Sequence, residues 1–359
     1  MVVPRVWRSS GDCDRSRTAD VTLLAVFDCA RPRRNVTARP LLVRGPGPTG
    51  RGFRRSLICG GSVLWLAAGL VQGGEWVFPC PTHEIARYTA HRVTEPISID
   101  GRLDEPAWQA APTSPRFVDI ITGEPARFDT RAMVLWDATN LYVAYRVEEP
   151  NVRATYTQPN DPIYYDNDIE LFVAGSDAYY EFELNAFNTP YEVFFIWEEA
   201  YERGGFAQDE EFARSKLRPF NGVGFTTHPR GGRLGQFTWT FPGRKTAVHI
   251  DGTINDGSDV DRGWTVEIAL PWSGFRWLTT DGRALPPGEG DVWRMDFSRF
   301  NIDRAHGPTR DSGGWVWTRH GVWDSHIPEC FAFVRFTTQT PSSDRGEANR
   351  TTPVQEDLP

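Results

Sequence analysis

Alternating apolar and polar positions are clearest along residues 164–188, YYDNDIELFVAGSDAYYEFELNAFN. In residues 168–173 and again in residues 180–185, apolar side chains recur at every second position, which is the period of a β-strand. A Gly-Ser-Asp break at residues 175–177 separates the two runs. Two alternating runs joined by a short turn predict an antiparallel hairpin.

The polar side chains of this hairpin raise a question of charge. If the turn centres on Ser176, Asp168 lies opposite Asn185 and Glu170 lies opposite Glu183. Like charges directly opposite each other destabilise a strand pair. Two interpretations therefore remain open. In the first, the row forms a solvent-exposed outer face. In the second, it is the polar floor of a ligand site, where arginine, a metal ion or a hydroxyl-rich ligand balances or binds the carboxylates.

The same alternation predicts strands elsewhere in the chain. Residues 131–136 and 141–148 predict a second hairpin. Arg146 lies on its second strand and is the candidate to neutralise Glu170 and Glu183, if the two hairpins are neighbours. Further strands are predicted at residues 97–101, 191–197, 245–251, 263–270, 291–300 and 331–336.

Helical signals are few. A short helix is predicted after residues 97–101, and its Trp108 is expected to fill the core. Residues 189–244 are irregular and predict a long insertion, with a short helix within residues 198–217. Many short strands with turn signals predict an all-β fold, an antiparallel β-sandwich of the jelly-roll or immunoglobulin-like kind with a long irregular insertion.

Charge excludes one class of function. Residues 1–60 hold 12 Arg, no Lys and four Asp, a balance of +8, while the whole 359-residue chain carries −8. Residues 61–359 therefore carry −16. An acidic body of this kind argues against nucleic-acid binding.

The amino-terminal region predicts export. Residues 1–74 combine a disordered extension with a signal-like segment, in which Arg54 and Arg55 precede an apolar run at residues 57–71 and a small residue near Gly73. This run is short for a membrane span, so we expect a secreted or periplasmic protein with no membrane contact after cleavage, and an uncleaved anchor is the alternative.

The remaining domain boundaries follow from composition. Residues 75–92 are expected to lead into a single sandwich at residues 93–337, and residues 338–359 to form a disordered tail. After cleavage only Cys80 and Cys330 would remain, and the sequence leaves open whether they pair in an oxidising compartment.

Aromatic residues beside carboxylates are the strongest chemical signal. The chain holds 14 Trp and 22 Phe. Sugar rings pack their C–H faces on Trp and Tyr, and their hydroxyls need polar partners. Tyr164 and Tyr165 stand just before the acidic hairpin, and Trp315, Trp317 and Trp323 cluster just before the last predicted strand. The sequence thus favours a sugar-binding surface, although each of these aromatics could instead pack in the core.

Seven segments in a fixed order resemble a known family. They are IDGRLDEPAWQ, VLWDATNLYVAYRVEEP, YYDNDIELFV, YYEFELNAFN, GWTVEIALPW, VWRMDFSRF and WTRHGVWDSHIPECFAFVRF. Together they resemble the family 9 carbohydrate-binding modules, in a broader group related to DOMON domains. The resemblance covers residues 93–337.

The resemblance implies a β-sandwich that binds polysaccharide or oligosaccharide chains or chain ends, glucan or xylan among them, between two aromatic rings. It implies structural calcium, no organic cofactor, and a role in carbohydrate catabolism alongside secreted glycoside hydrolases. Glu183 stands where some members have arginine. The sugar-binding residues predicted from the pattern and the resemblance are Tyr164, Tyr165, Glu170, Glu183, Asn185, Arg146 and Trp323.

Three alternatives remain open beside a non-catalytic binding module. One is a haem-binding electron-transfer module, as in some DOMON domains, and a second is an O-glycosyl hydrolase that uses Asp166 or Glu170. The third is a structural sandwich without a ligand. The residues that could supply axial haem ligands are Met133, Met295, His306, His320 and His326.

Overall fold

The structure is a computed structural model that describes residues 78–302 and 313–341. The predicted extension and signal-like segment at residues 1–74 lie outside this part, as do His306 and nearly all of the predicted tail. Among the described residues the extended regular elements are β-strands and the helices are short, which confirms the predicted all-β class.

The strands follow the predicted order closely. They are β1 (Arg87–Arg92), β2 (Val118–Asp119), β3 (Thr130–Trp136), β4 (Asn140–Glu148), β5 (Asp168–Ala174), β6 (Ala178–Asn185), β7 (Pro190–Trp197), β8 (Arg218–Phe220), β9 (Arg233–Gln236), β10 (Lys245–Asp251), β11 (Gly263–Pro271), β12 (Val292–Asn301), β13 (Gly313–Val316) and β14 (Ala332–Thr337).

Helices are short in the described part of the chain. The α-helix there is α1 (Pro106–Ala110). The 3₁₀ helices are Thr82–Glu84, Ile163–Tyr165, Glu198–Ala200, Phe206–Gln208, Glu210–Phe212, Arg214–Lys216, Trp272–Leu278 and Pro328–Cys330. Within residues 78–302 and 313–341, none of these is long and apolar enough to cross a membrane.

The strands form one continuous hydrogen-bonded path in the order β10-β11-β4-β3-β1-β14-β12-β5-β6-β7-β9-β8, with β13 and β2 attached to β12. Most neighbours are antiparallel, but β1 runs parallel to both β14 and β3. β1 lies within the segment expected to be a lead-in. Its partners are remote in sequence and joined by no tight turn, so no hairpin signal marks it.

Two halves of this path pack face to face as a sandwich. Tyr145 of β4 lies against Phe297 of β12, with 6.2 Å between ring centroids. Its hydroxyl donates a 2.6 Å hydrogen bond to the main-chain oxygen of Glu170 in β5. Because β4 and β5 are not neighbours along the path, these contacts cross the core between the layers.

Both predicted hairpins form, and the acidic hairpin has the predicted register. β5 and β6 pair Asp168 with Asn185 and Glu170 with Glu183. β3 and β4 pair around the turn that precedes Asn140. Since apolar residues of both hairpins face the common core, the two-residue period was sufficient to set these pairings.

One local prediction is wrong. Residues 97–101 form no strand; their backbone is held instead by the buried Glu267 side chain of β11. Residues 198–217 hold short helices, which are of the 3₁₀ kind, and the predicted insertion at residues 189–244 contributes β7, β8 and β9 to the sheet.

The Cys80–Cys330 disulfide is present, with the two Cα atoms 5.6 Å apart. Both cysteines are buried in a small cluster with Ile327. The bond joins the beginning of the described chain to the 3₁₀ turn just before β14. It therefore connects segments that are 250 residues apart in the sequence.

Candidate functional site

The acidic side chains lie on the face of β5 and β6 that points away from the main core. Leu171 faces that core, so Glu170 on the same strand faces the other side. Across the sheet Glu170 lies between Ser298 of β12 and Glu183 of β6, and Glu183 lies opposite Tyr191 of β7. These four residues form the central polar row.

Polar residues occupy the rows on either side. One row pairs Phe300, Asp168 and Asn185, and the other contains Asp296 and Glu181. The polar side chains of these rows are buried, as are those of Glu170 and Glu183. The interpretation of the acidic row as a solvated face is therefore wrong.

The segment between β13 and β14 covers these rows. Asp324 holds it in place: its Oδ2 accepts hydrogen bonds of 2.8 to 3.0 Å from the main-chain N–H groups of Val223, Gly224 and Phe225. His320 Nδ1 lies 2.6 Å from the main-chain oxygen of Asp324. These bonds hold in position the exposed ring that directly precedes Asp324.

Three aromatic side chains stand at the surface beside the buried rows. Trp323 is 44% exposed, and Tyr164 and Tyr165 are 42% and 57% exposed. The other tryptophans in the described part of the chain are buried or half-buried. We name Tyr164, Tyr165 and Trp323 the aromatic rim.

The rim has two sides. The Tyr164 ring centroid lies 4.6 Å from that of Tyr165 and 5.5 Å from that of Tyr191 in β7. The Trp323 ring lies 5.2 Å from Phe300 in β12. β12 and β7 are separated by β5 and β6, so these two supports are three strand spacings apart, about 14 Å. The acidic hairpin therefore runs between the two sides of the rim.

Burial makes these carboxyl groups unusually weak acids. It raises the pKa of Glu170 to about 8, with the charge of Asp296 adding to the effect and the Ser298 hydrogen bond opposing it. Burial and the neighbouring carboxylates also raise the pKa values of Asp168, Glu181 and Glu183 well above their usual range. In the absence of a cation, the carboxyl groups of this face lose their negative charge by binding protons.

The two histidines beside the rows behave differently. Burial lowers the pKa of His326 to about 3, so its Nε2, 3.6 Å from Glu181 Oε1, forms a neutral contact. Burial also disfavours charge on His320, but Asp296, 3.4 Å away, outweighs it and raises the pKa of His320. His320 thus forms an ion pair with Asp296, and its charge also opposes the rise in the pKa of Glu170.

Asn185 is engaged within the protein. Its Nδ2 donates to the main-chain oxygen of Tyr156 at 2.9 Å and to Asp166 at 3.3 Å. Its Oδ1 accepts from the N–H groups of Phe187 and Thr189. Its predicted contact with sugar stays a prediction, and the structure shows that its amide already fixes the two loops at this end of the hairpin.

Arg146 does not neutralise the acidic row, so this part of the prediction is wrong. β4 pairs with β3 and β11, not with β5 or β6. Arg146 lies on the outer face of β4, in a groove of about 650 Å³ that also includes Arg131 and His249. The period placed Arg146 on the correct face of its own strand, but periodicity does not determine which strands are neighbours.

The haem alternative is not favoured by the geometry. Met295 faces the main core, whereas His320 lies beside Asp296 on the opposite face of β12. Met133 is buried among apolar residues of a separate cluster. Among the described residues, these methionines and His320 or His326 are not arranged as a pair of axial ligands.

The hydrolase alternative gains no support either. Asp166 Oδ2 accepts main-chain hydrogen bonds from Thr155 and Tyr156. This bonding makes Asp166 a loop anchor. Glu170 is buried and bonded to Ser298 Oγ at 2.7 Å.

Sequence reasoning missed the residues that complete the face. Asp296 and Ser298 come from β12, and His320 and Asp324 from the covering segment. An Asp or Ser at alternate positions of an apolar strand was the available signal for the first two. No local signal distinguishes Asp324 from a surface aspartate, because its role depends on distant main-chain donors.

We expect stability without divalent cations to fall as pH rises. A carboxyl whose pKa is higher in the folded than in the unfolded state stabilises the fold below its unfolded pKa and loses this contribution as pH rises through the folded value. For Glu170 this window runs from the usual value of 4.5 to about 8. In chelator, Tm should be several degrees lower at pH 8 than at pH 5.5. Glu170→Gln should make the dependence of Tm on pH less steep, whereas the exposed control Glu202→Gln should leave it unchanged. A Tm that rises between pH 5.5 and pH 8 would contradict the raised pKa of Glu170.

Comparison with known proteins supports part of the predicted resemblance. Residues 99–205 match the family model "Carbohydrate family 9 binding domain-like". No curated protein matches the chain.

Two solved structures are similar to this chain at low sequence identity. A carbohydrate binding module family 9 from Caldicellulosiruptor kristjanssonii in complex with cellotriose has 12% identity and a TM-score of 0.42, covering 75% of this chain and 100% of that one. The corresponding glucose complex has 10% identity and a TM-score of 0.41, covering 71% and 99%. The family match, which includes Tyr164, Tyr165, Glu170 and Glu183, confirms the resemblance over residues 99–205: this part of the chain is like the family 9 carbohydrate-binding domain.

Proposed function

We propose that the protein binds carbohydrate chains or chain ends at the aromatic rim, without catalysing their cleavage. The observation that carries the proposal is the exposure of Trp323, at 44%, in a described region whose other tryptophans are buried or half-buried. A ligand that covers this ring removes apolar surface from water, which favours binding. A sugar ring offers such a cover, because its C–H face is flat and weakly polar.

The surroundings of the rim suit such a ligand. Tyr164 and Tyr165 supply exposed rings on one side, each with a hydroxyl that can bond a sugar. Asp324 holds the opposite side through three main-chain hydrogen bonds. A ring that is already held in place binds with less loss of conformational entropy. Glucan and xylan chains are the candidates that the family resemblance implies.

Export is part of this proposal. The Cys80–Cys330 bond is of a kind that persists in oxidising compartments, and an apolar run follows Arg54 and Arg55. A secreted or periplasmic sugar-binding module could act in carbohydrate catabolism by holding polysaccharide near glycoside hydrolases. Mass spectrometry of the protein from an exporting host would test this: a mature chain that begins near residue 74 is expected, and an intact amino terminus on a cytoplasmic protein would contradict it.

Sugar titration of the full chain tests the binding proposal. Glucose, cellobiose, xylobiose and soluble xylan should each be followed by calorimetry and intrinsic fluorescence. We expect saturable binding of at least one of these sugars, and Trp323→Ala should weaken it by about 2 kcal/mol, roughly thirtyfold, because the stacking surface is removed.

Trp323→Phe is the matched control. It keeps an aromatic face and should retain most of the affinity, while both variants should keep the Tm of the parent since Trp323 lies at the surface. A folded protein that gives no signal with any of these sugars would contradict the proposal, as would full affinity in Trp323→Ala.

A further inference from the structure

The strand path ends at β8 on one side and at β10 on the other, and these two edges differ. β8 has three residues with Pro219 at its centre, and a short strand that contains proline is a poor template for another chain. β10 has seven residues without Pro or Gly, and each of them pairs with β11 in unbroken register. Within the described part of the chain, β10 has no strand on its other side. It is therefore the unprotected edge of the sheet.

Thr246 shows which main-chain groups of β10 point away from β11. Its carbonyl oxygen accepts a 3.3 Å hydrogen bond from Asn188 Nδ2, which belongs to the turn between β6 and β7. Main-chain groups along a strand point to alternate sides, so those of Val248 and Ile250 also point away from β11. No hydrogen bond joins them to another residue within 78–302 and 313–341. The outer edge of β10 thus presents free donors and acceptors.

The two ends of β10 carry opposite charges. Lys245 begins the strand and Asp251 ends it, while the residues between them contain no Lys, Arg, Asp or Glu. If two copies of β10 pair antiparallel about Val248, Lys245 of each copy lies opposite Asp251 of the other. Opposite charges at directly opposed positions stabilise a strand pair. The strand is therefore complementary in charge to a second copy of itself.

Both charged side chains are accessible. Lys245 and Asp251 are exposed, and Lys245 has no salt bridge to another described residue. Asp251 lies 3.4 Å from Arg262, but this pair is largely in solvent. An exposed ion pair of this kind contributes little free energy, so it leaves Asp251 available to a second partner.

Exposed apolar side chains stand near both ends of β10. Phe187 precedes Asn188 and is 40% exposed, and Val260, in the loop between β10 and β11, is 83% exposed. Asn188 contacts the second residue of β10, whereas the loop with Val260 follows its last residue. A twofold axis at Val248 brings the beginning of one strand beside the end of the other. Phe187 of one copy would then lie on the side of Val260 of the second copy, where both can lose exposed apolar surface.

We propose that β10 pairs with β10 of a second copy of this chain, antiparallel and centred on Val248, to form a dimer. The free main-chain groups supply the hydrogen bonds, and Lys245 and Asp251 set the register. A contact of this symmetry uses the same surface on both copies and closes on itself, so it gives a dimer rather than a filament. None of its residues belongs to the aromatic rim, so the dimer would carry two separate rims and could hold one polysaccharide chain at two places.

Sedimentation velocity of the full chain without sugar tests the proposal. We expect a monomer–dimer equilibrium between ~1 and ~200 µM, the range expected for an interface of modest area. A chain that stays monomeric throughout this range would overturn the proposal. Sugar binding is a separate result, because no sugar is present and the rim takes no part in the contact.

Charge reversal decides whether the interface is β10. Lys245→Glu and Asp251→Lys should each raise the dimer Kd by roughly tenfold or more, because each places like charges opposite each other at two symmetry-related positions. The double variant exchanges the two charges and should return the Kd to within about threefold of the parent. Lys216→Glu, at an exposed position near β8, makes the same change in net charge and should leave the Kd unchanged. Unweakened dimers in both single variants, or no recovery in the double variant, would overturn the proposed pairing.

Hydrogen exchange identifies what covers the edge. The main-chain N–H groups of Val248 and Ile250 should exchange slowly where the dimer forms and faster on dilution. If they exchange slowly in a monomer, another segment of the same chain covers β10, and the proposal is wrong. If they exchange fast in a dimer, the two copies meet at a different surface, and the proposal is equally wrong.

Discussion

Glu267→Ala is expected to lower the free energy of unfolding by about 3–5 kcal/mol, since each buried donor left without an acceptor costs about 1–3 kcal/mol. Glu267 Oε2 accepts the N–H groups of Asp100 and Gly101 at 2.8 and 2.7 Å, and Oε1 accepts Trp108 Nε1 at 2.8 Å. One side chain of β11 thus holds the whole segment that carries Trp108 onto the sheet.

Chemical denaturation at pH 8 would measure this loss. Burial raises the pKa of Glu267 to about 7, so the carboxylate is largely ionised at that pH and all three donors face a charged acceptor. Glu267→Gln should also destabilise, because its amide N–H groups would face donors. The exposed Glu124→Ala should change stability by no more than about 0.5 kcal/mol. A loss below about 1 kcal/mol in Glu267→Ala would show that the three hydrogen bonds do not hold this segment.

Removing the disulfide is expected to have an effect of similar size. Cys80→Ala combined with Cys330→Ala should lower the free energy of unfolding by about 2–5 kcal/mol, because the unfolded chain regains the freedom that a long covalent loop denies it. The two cysteines are 250 residues apart, so the loop spans nearly all of the described chain. The comparison should use denaturant titrations of parent and double variant, each with and without reductant.

Reductant supplies the control for this prediction. It should destabilise the parent and leave the double variant unchanged. Alkylation of Cys80 or Cys330 in the native, unreduced protein would contradict the pairing. Equal stability of parent and double variant would show instead that the buried cluster around Ile327 is sufficient to hold the two segments together.

For the acidic hairpin, the pairing of the strands could be predicted from the sequence, whereas the burial of its carboxylates could not. Its strands, its turn and the pairing of Glu170 with Glu183 were predictable, because a one-residue slip would expose the apolar residues that face the core. The burial of the carboxylates was not predictable, since it depends on a covering segment more than 130 residues later in the chain. Trp323 was singled out as an aromatic near the last strand, but its support by Asp324 required the folded chain.

Arg146 and Asn185 are two predicted site residues whose contacts the sequence could not determine. Both are polar residues at suitable positions of a strand, and both were predicted to contact sugar. The structure places Arg146 on the outer face of a strand that pairs with neither acidic strand, and it uses the Asn185 amide to fix two loops. A residue's face follows from local periodicity, whereas its partners follow from the order of strands in the sheet.

The sequence by itself determined the all-β class, most strand positions and the register of the acidic hairpin, because these depend on local alternation and on turns. Only the tertiary structure decided the parallel position of β1, the pairing of Cys80 with Cys330 and the convergence of Asp168, Glu170 and Glu183 beneath the aromatic rim. The physical reason is the distance along the chain. Contacts between remote segments are selected by how the whole core packs, and no short stretch of sequence contains that information.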